Sequence, residues 1–142
     1  MALTSATWLV DKSVLARVDI APVADAVLPR VQAGQVGVAL VTELEVGYSA
    51  RSGSDYDATR QNLLDLLIPV AMPIRAEERA RELQRDLVLR GQHRGVSVPD
   101  LVLAAIADIE ELTLMHYDAD FDLISSVTGQ PAEWVVPRGS VD

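Results

Sequence analysis

The 142-residue sequence contains no cysteine. That excludes disulfides, thiol nucleophiles and every zinc site built on thiolates. Histidine is nearly as scarce: His93 and His116 are the two in the chain, too few for a typical His-rich metal site. A bound metal would have to be held by carboxylates, whose hard oxygens favour magnesium or manganese over zinc. Aromatic residues make up 4%, so the core must be assembled from Val, Leu, Ile and Ala. Positive charge is short as well. Twelve Lys and Arg stand against 21 Asp and Glu, a formal net charge of −9. This argues against fold-wide attraction to nucleic acid or anionic membranes, though not against a local basic patch. No apolar run is long enough to span a membrane. The N-terminus lacks the basic-then-apolar order of a secretion signal, so a cytoplasmic protein is expected.

What is present suits one domain over residues 1–142, with 49% hydrophobic residues to fill a single core. TWLV (Thr7 to Val10) is a short β-favouring run ending at Asp11, with a helical start at Ser13 and Val14. Pro22 to Ala33 reads as a helix, opened by Pro22, closed by Gly34 and kinked or split at Pro29. Val36 to Val41 is a second β-like run, followed by a helix over Thr42 to Ser52. Asp55 to Ile68 reads as one helix with Leu63, Leu64, Leu67 and Ile68 on one side, and Val70 to Met72 as a short strand. Arg75 to Arg90 is amphipathic, with Ala76, Ala80, Leu83 and Leu87 facing inward. Leu101 to Ile109 is apolar on nearly every side and should be a buried helix. Leu112 to Met115 reads as a buried strand, Asp120 to Val127 as a short helix and Trp134 to Val136 as a last strand. The run VPRGS (Val136 to Ser140) resembles a protease-site scar but continues smoothly from what precedes it, and we read it as native. Strands alternating with helices predict an α/β/α sandwich around a mostly parallel sheet.

In such a sheet, ligands bind outside the carboxyl ends of the strands. Asp11, Glu45 and Asp118 fall there, and Asp100 opens the buried helix. Each has an ordinary structural explanation. Thr42 with Glu45, and Ser97 with Asp100, have capping-box spacing, and Asp11 is placed to cap a helix. Taken together the explanation weakens, because independent caps need not converge on one cleft. Clustered carboxylates repel one another, and a divalent cation relieves the repulsion. The chemistry that follows is hydrolysis of a phosphodiester by an activated water. The arginines from Arg75 to Arg85 read as a salt-bridged helix face. Arg90, His93 and Arg94, with no acid among them, are the better candidates for touching an RNA backbone. His116 has the position of a general base, although a strand-end histidine is more often simply buried.

The motifs in order resemble the PIN domain, and more closely the VapC toxins of bacterial type II toxin–antitoxin pairs. WLVDKSVL resembles the family's opening strand and places Asp11. TELEVGYSAR resembles its second segment, placing Glu45 with Ser49, Ala50 and Arg51, and leaving Glu43 as the alternative register. VPDLVLAAIA places Asp100. LMHYDADFDLI places Asp118 and a frequent fifth acid, Asp120, before Phe121. Ser49 stands where the family often has glycine. The resemblance implies a magnesium- or manganese-dependent endoribonuclease that cuts RNA. It also implies a homodimer, with contacts on apolar helix faces such as Asp55 to Ile68, and a VapB-type antitoxin packing over the active-site groove. Asp11, Asp100 and Asp118 would bind metal, Glu45 would orient or deprotonate the attacking water, and Asp120 and Ser13 would support them. Two rivals remain. A magnesium-dependent phosphatase with an aspartyl nucleophile needs a nearby lysine, and Lys12, the single lysine, is expected to point away. A non-catalytic RNA- or protein-binding module needs none of the acids for chemistry.

Overall fold

The computed structural model describes residues 5–142. Met1 to Thr4, part of the stretch read for a secretion signal, lie outside the described residues. Five strands form one sheet: β1 (Trp8–Val10), β2 (Val36–Val38), β3 (Ile68–Pro69), β4 (Thr113–His116) and β5 (Ala132–Trp134). Their order is β3-β2-β1-β4-β5, and every neighbouring pair is parallel. Seven helices connect them: α1 (Lys12–Leu15), α2 (Ala21–Gln32), α3 (Leu40–Tyr48), α4 (Gly53–Asn62), α5 (Ile74–Leu89), α6 (Val98–Ile109) and α7 (Asp120–Thr128).

The strands are apolar without interruption because both faces of a parallel sheet are covered. Successive residues point to opposite faces. Leu9 and Leu114 pack with Leu83, Leu103, Ile106, Phe121 and Ile124 of the helices α5, α6 and α7. Their neighbours Val10 and Met115 pack on the other face with Val14, Val23, Val27, Leu64 and Leu67. The sheet is thus clad on both sides, as the sandwich prediction requires. The chain winds outward from β1 to β3, then crosses back to β4. The winding reverses between β1 and β4, where a crevice opens at the strands' carboxyl ends.

Several local expectations change. Pro29 does not split α2, which continues through it as one helix. Proline costs the helix one hydrogen bond, and here both Pro29 and Asp25, whose carbonyl is freed, are exposed to water. The expected helix from Asp55 to Ile68 is three pieces. Its polar part is α4, which buries no residue. A 3-10 turn at Leu64–Leu66 then swings Leu64 and Leu67 into the core, and Ile68 begins β3. The strand expected at Val70 to Met72 therefore lies two residues earlier. Helix α3 begins at Leu40, with Ala39 as its N-cap and no side-chain cap bond, so Thr42 is not the cap of a Thr42–Glu45 box.

Candidate active site

Turns and helix starts at the crevice place the acids by local geometry. Asp11 follows β1 and caps α1: its Oδ2 accepts a hydrogen bond from the Ser13 amide at 3.0 Å. The other oxygen, Oδ1, is buried and has no hydrogen-bond partner among the described residues. Asp100 sits in the first turn of α6. Ser97 caps that helix, its Oγ accepting from the Asp100 amide at 3.3 Å, and the Ser97 and Asp120 side chains both interact with the Asp100 carboxylate. Asp118 follows β4, and its Oδ1 accepts from the Asp120 amide at 2.9 Å at the start of α7. One carboxylate oxygen from each of Asp100, Asp118 and Asp120 lies within 4.8 Å of the other two.

Asp11 and Asp100 are 1% and 4% exposed, and their ionisation reflects it. Burial pushes the Asp11 carboxyl up, and the charge of Asp118 adds to this against the Ser13 hydrogen bonds. Asp100 is raised to about 8, by burial first and then by Asp11 and Asp118. Asp11 therefore belongs to the same electrostatic cluster as the other three.

Glu45 on α3 completes the acidic wall. Burial raises its pKa and Asp11 raises it further, against the lowering pull of Lys12. Lys12 corrects an expectation. It does not point away from the acids: its Nζ lies 3.4 Å from Glu45 Oε2, because Lys12 opens α1 rather than extending β1. Glu43 faces elsewhere, bound to Arg60 Nη1 of α4 at 2.8 Å. The two glutamates of TELEV diverge as two-residue spacing on a helix requires.

Two hydroxyls brace the crevice. Ser13 Oγ accepts from the Tyr117 amide at 2.9 Å, tying the turn that bears Asp11 to the turn that bears Asp118. Thr42 is fully buried, and its Oγ1 donates to the Val10 carbonyl at 3.5 Å, anchoring α3 beside Asp11. No residue spacing signals this second tether. His116 is 0% exposed. Its Nδ1 accepts from the Asp118 amide at 3.2 Å, its ring packs between Phe121 and Trp134, and burial lowers its pKa. It shapes the Asp118 turn.

Arg90, His93 and Arg94 are not brought into the acid cluster. They lie exposed at the end of α5 and in the 3-10 turn His93–Gly95, ahead of the Ser97 cap. The arginine face of α5 is salt-bridged at two of the positions so read: Arg79 pairs with Glu82 and, across to α6, with Asp108, and Arg81 pairs with Glu77 and Glu78.

An all-parallel five-stranded sheet with buried acids at its reversal point defines an α/β protein with an acidic crevice. The family model for the PIN domain matches residues 9–126. Ribonuclease VapC51 of Mycobacterium tuberculosis is 44% identical over 137 residues, covering 95% of this chain and 97% of the relative. Ribonuclease VapC2 of the same species is 40% identical over 141 residues, covering 96% and 97%. A DNA-bound VapBC from Salmonella typhimurium superposes with a TM-score of 0.76 at 13% identity, over 92% of this chain and 99% of that one. VapBC2 from Rickettsia felis, bound to a promoter DNA fragment, gives 0.75 at 13% identity, over 89% and 98%. At that identity the superposition speaks for the fold. The chain belongs to the PIN domain family, in its VapC branch.

Proposed function

We propose that the protein is a divalent-metal-dependent endoribonuclease and the toxin of a toxin–antitoxin pair. The observation that carries this is the convergence of Asp11, Asp100, Asp118 and Asp120 from distant parts of the chain, with Asp11 Oδ1 buried and unpartnered. Buried polar atoms are almost always paired, and an orphaned carboxylate oxygen beside three further carboxylates fits a missing cation. Asp11, Asp100 and Asp118 would hold magnesium or manganese, and Asp120 would join directly or through water. Bound there, the ion supplies stabilisation of charge on a phosphoryl oxygen and a more acidic water.

The chain's own groups do the rest. Glu45, with a pKa raised by burial, takes the proton of the attacking water. The resulting hydroxide bonds to phosphorus, one phosphorus–oxygen ester bond breaks, and the departing oxygen takes a proton from solvent. Ser13 and Thr42 hold the turns that carry the acids. The Ribonuclease VapC names of the relatives support RNA as substrate, and the VapBC neighbours support a VapB-type antitoxin as partner; a cytoplasmic location is part of the same proposal. Among the described residues no helix is long and apolar enough to cross a membrane.

We also assign a homodimer. Its contact is better placed on α3 than on the polar α4, since Leu40, Leu44 and Tyr48, one helical turn apart, are 63%, 62% and 93% exposed. A second copy of the chain is the proposed occupant of that stripe.

Induced expression of wild type beside Asp100→Asn, with sequencing of new RNA 5′ ends, tests the function. Growth arrest with discrete cuts in the wild type alone supports the nuclease. Arrest by both without new ends would support a binding module instead. The phosphatase reading predicts turnover of small phosphomonoesters, which a nuclease leaves intact.

A further inference from the structure

Beside the acid cluster, an open groove of about 650 Å³ runs between α1, the turn after β4 and the C-terminal segment. Asp118 lies in its wall, so the groove is continuous with the site. Its other walls differ from the rest of this acidic molecule. Lys12, Arg17 and Arg138 line it with Tyr117 and Trp134.

Each of the two arginines lies against an aromatic face, and Arg17 also donates from Nη1 to the Ser13 carbonyl at 2.8 Å. Arg17 Cζ sits 4.7 Å from the Tyr117 ring centre, and Arg138 Cζ sits 5.6 Å from that of Trp134. The rings meet edge to face, 5.3 Å apart at 84°. Trp134 is fixed by Asp122, whose Oδ1 accepts from its Nε1 at 3.0 Å. Arg30, Arg60, Arg79 and Arg81 all have carboxylate partners. No described carboxylate side chain forms an ion pair with Arg17 or Arg138. In a chain of formal charge −9, such cations beside an acidic centre need a reason.

The outer wall is built as well. Tyr117 Oη accepts from the amides of Gly139 at 2.9 Å and Val141 at 3.2 Å, and donates to the Val141 carbonyl at 2.6 Å. Arg17 Nε donates to the main-chain oxygen of Asp142 at 2.7 Å. One phenol thus straps the C-terminal segment along the groove.

We propose that this groove seats the RNA strand on one side of the scissile phosphate, with Arg17 and Arg138 on its phosphates and the Tyr117–Trp134 wall against a base or ribose. Acids at the centre repel a phosphate chain, so the strand needs cations where it leaves the metal. Guanidiniums on aromatic rings keep outward N–H groups for phosphate oxygens, and aromatic walls with cations suit single strands. The assignment rests on the ribonuclease reading.

The test uses full-length protein carrying Asp100→Asn, in EDTA, and a fluorescein-labelled 20-nucleotide RNA of mixed sequence, read by anisotropy across a salt series. Adding Arg138→Ala should weaken binding about fivefold near 0.1 M salt and lower the salt slope by about 0.7, the loss of one phosphate contact on a single strand. Arg138→Lys should restore most of it. Arg81→Ala, on the salt-bridged face of α5, should change nothing. In the otherwise wild-type enzyme, Arg138→Ala should raise KM for RNA more than it lowers kcat. Unchanged affinity and slope with Arg138→Ala would overturn the groove assignment while leaving the nuclease intact. Loss of antitoxin neutralisation with RNA affinity retained would overturn it too, in favour of a peptide site. Absence of cleavage by the wild type with manganese would instead strike at the ribonuclease reading, whatever the anisotropy.

Discussion

At the residue scale, the site is defined by what each carboxylate is left free to do. Ser97 caps α6 and, with Asp120, also touches the Asp100 carboxylate, which sits between a helix start and the other acids. Asp11 spends one oxygen on Ser13 and buries the other without a partner. A metal-free protein should register this strain as pH dependence. The folded pKa of Asp100, about 8, lies above its ordinary 3.8. Below the ordinary value both states hold the proton, and the contribution to stability is fully present. As pH rises towards 8 the unfolded chain releases its proton and the folded chain retains it, so stability falls. In EDTA the Tm should therefore drop between about pH 4 and pH 8, and Asp100→Asn should flatten that drop, as differential scanning fluorimetry can follow. Manganese should restore the wild type at pH 8 and not the variant. The two glutamates of α3 give a second prediction. Glu45→Gln should lower kcat by about a hundredfold, while Glu43→Gln, which loses an ion pair with Arg60, should keep activity within about twofold. Comparable losses in both would put the wrong glutamate at the acids. Here the sequence was informative for a reason: acids at strand ends and in helix first turns have positions fixed by the backbone. Lys12 was not legible, because its direction depends on whether α1 begins at residue 12 or later.

At the element scale, the crevice depends on how strands and helix starts are seated. Gly37 in the middle of β2 is close-packed: a Cβ there would meet Val70 Cγ2 at 2.6 Å and Ala6 Cβ at 3.2 Å. Gly37→Ala should cost about 1–3 kcal/mol in urea unfolding, and a change under about 0.5 kcal/mol would show that the strand gives way easily. Ser97→Ala should cost about 1 kcal/mol through loss of the α6 cap. Helices with a continuous apolar stripe, α5 and α6, were readable to within a residue or three. The segment 53–69 was not. A run of leucines after a polar helix looks like its continuation, but only the sheet face that receives Leu64 and Leu67 makes the chain turn there. Pro29 likewise misled, because its cost is set by exposure rather than by its presence.

At the scale of the whole molecule, net charge and local charge part company. The chain is acidic overall, yet Arg17, Arg138 and Lys12 gather on one flank of the acids. Composition could not disclose that, since the residues lie in and just after α1 and in the last stretch of the chain, and meet only because β5 pairs beside β4. The exposed stripe of α3 belongs to this scale too. Leu44→Glu should turn a dimer into a monomer by light scattering, with the fold intact by circular dichroism. A dimer that persists would move the contact to another face.

The most direct measurement is cleavage of total RNA by purified, antitoxin-free protein, with manganese, with magnesium and with EDTA, wild type beside Asp100→Asn. The account predicts discrete cuts by the wild type with either metal, none in EDTA and none from the variant. Cutting that survives EDTA, or that the variant performs as well as the wild type, would contradict a reaction carried by these carboxylates.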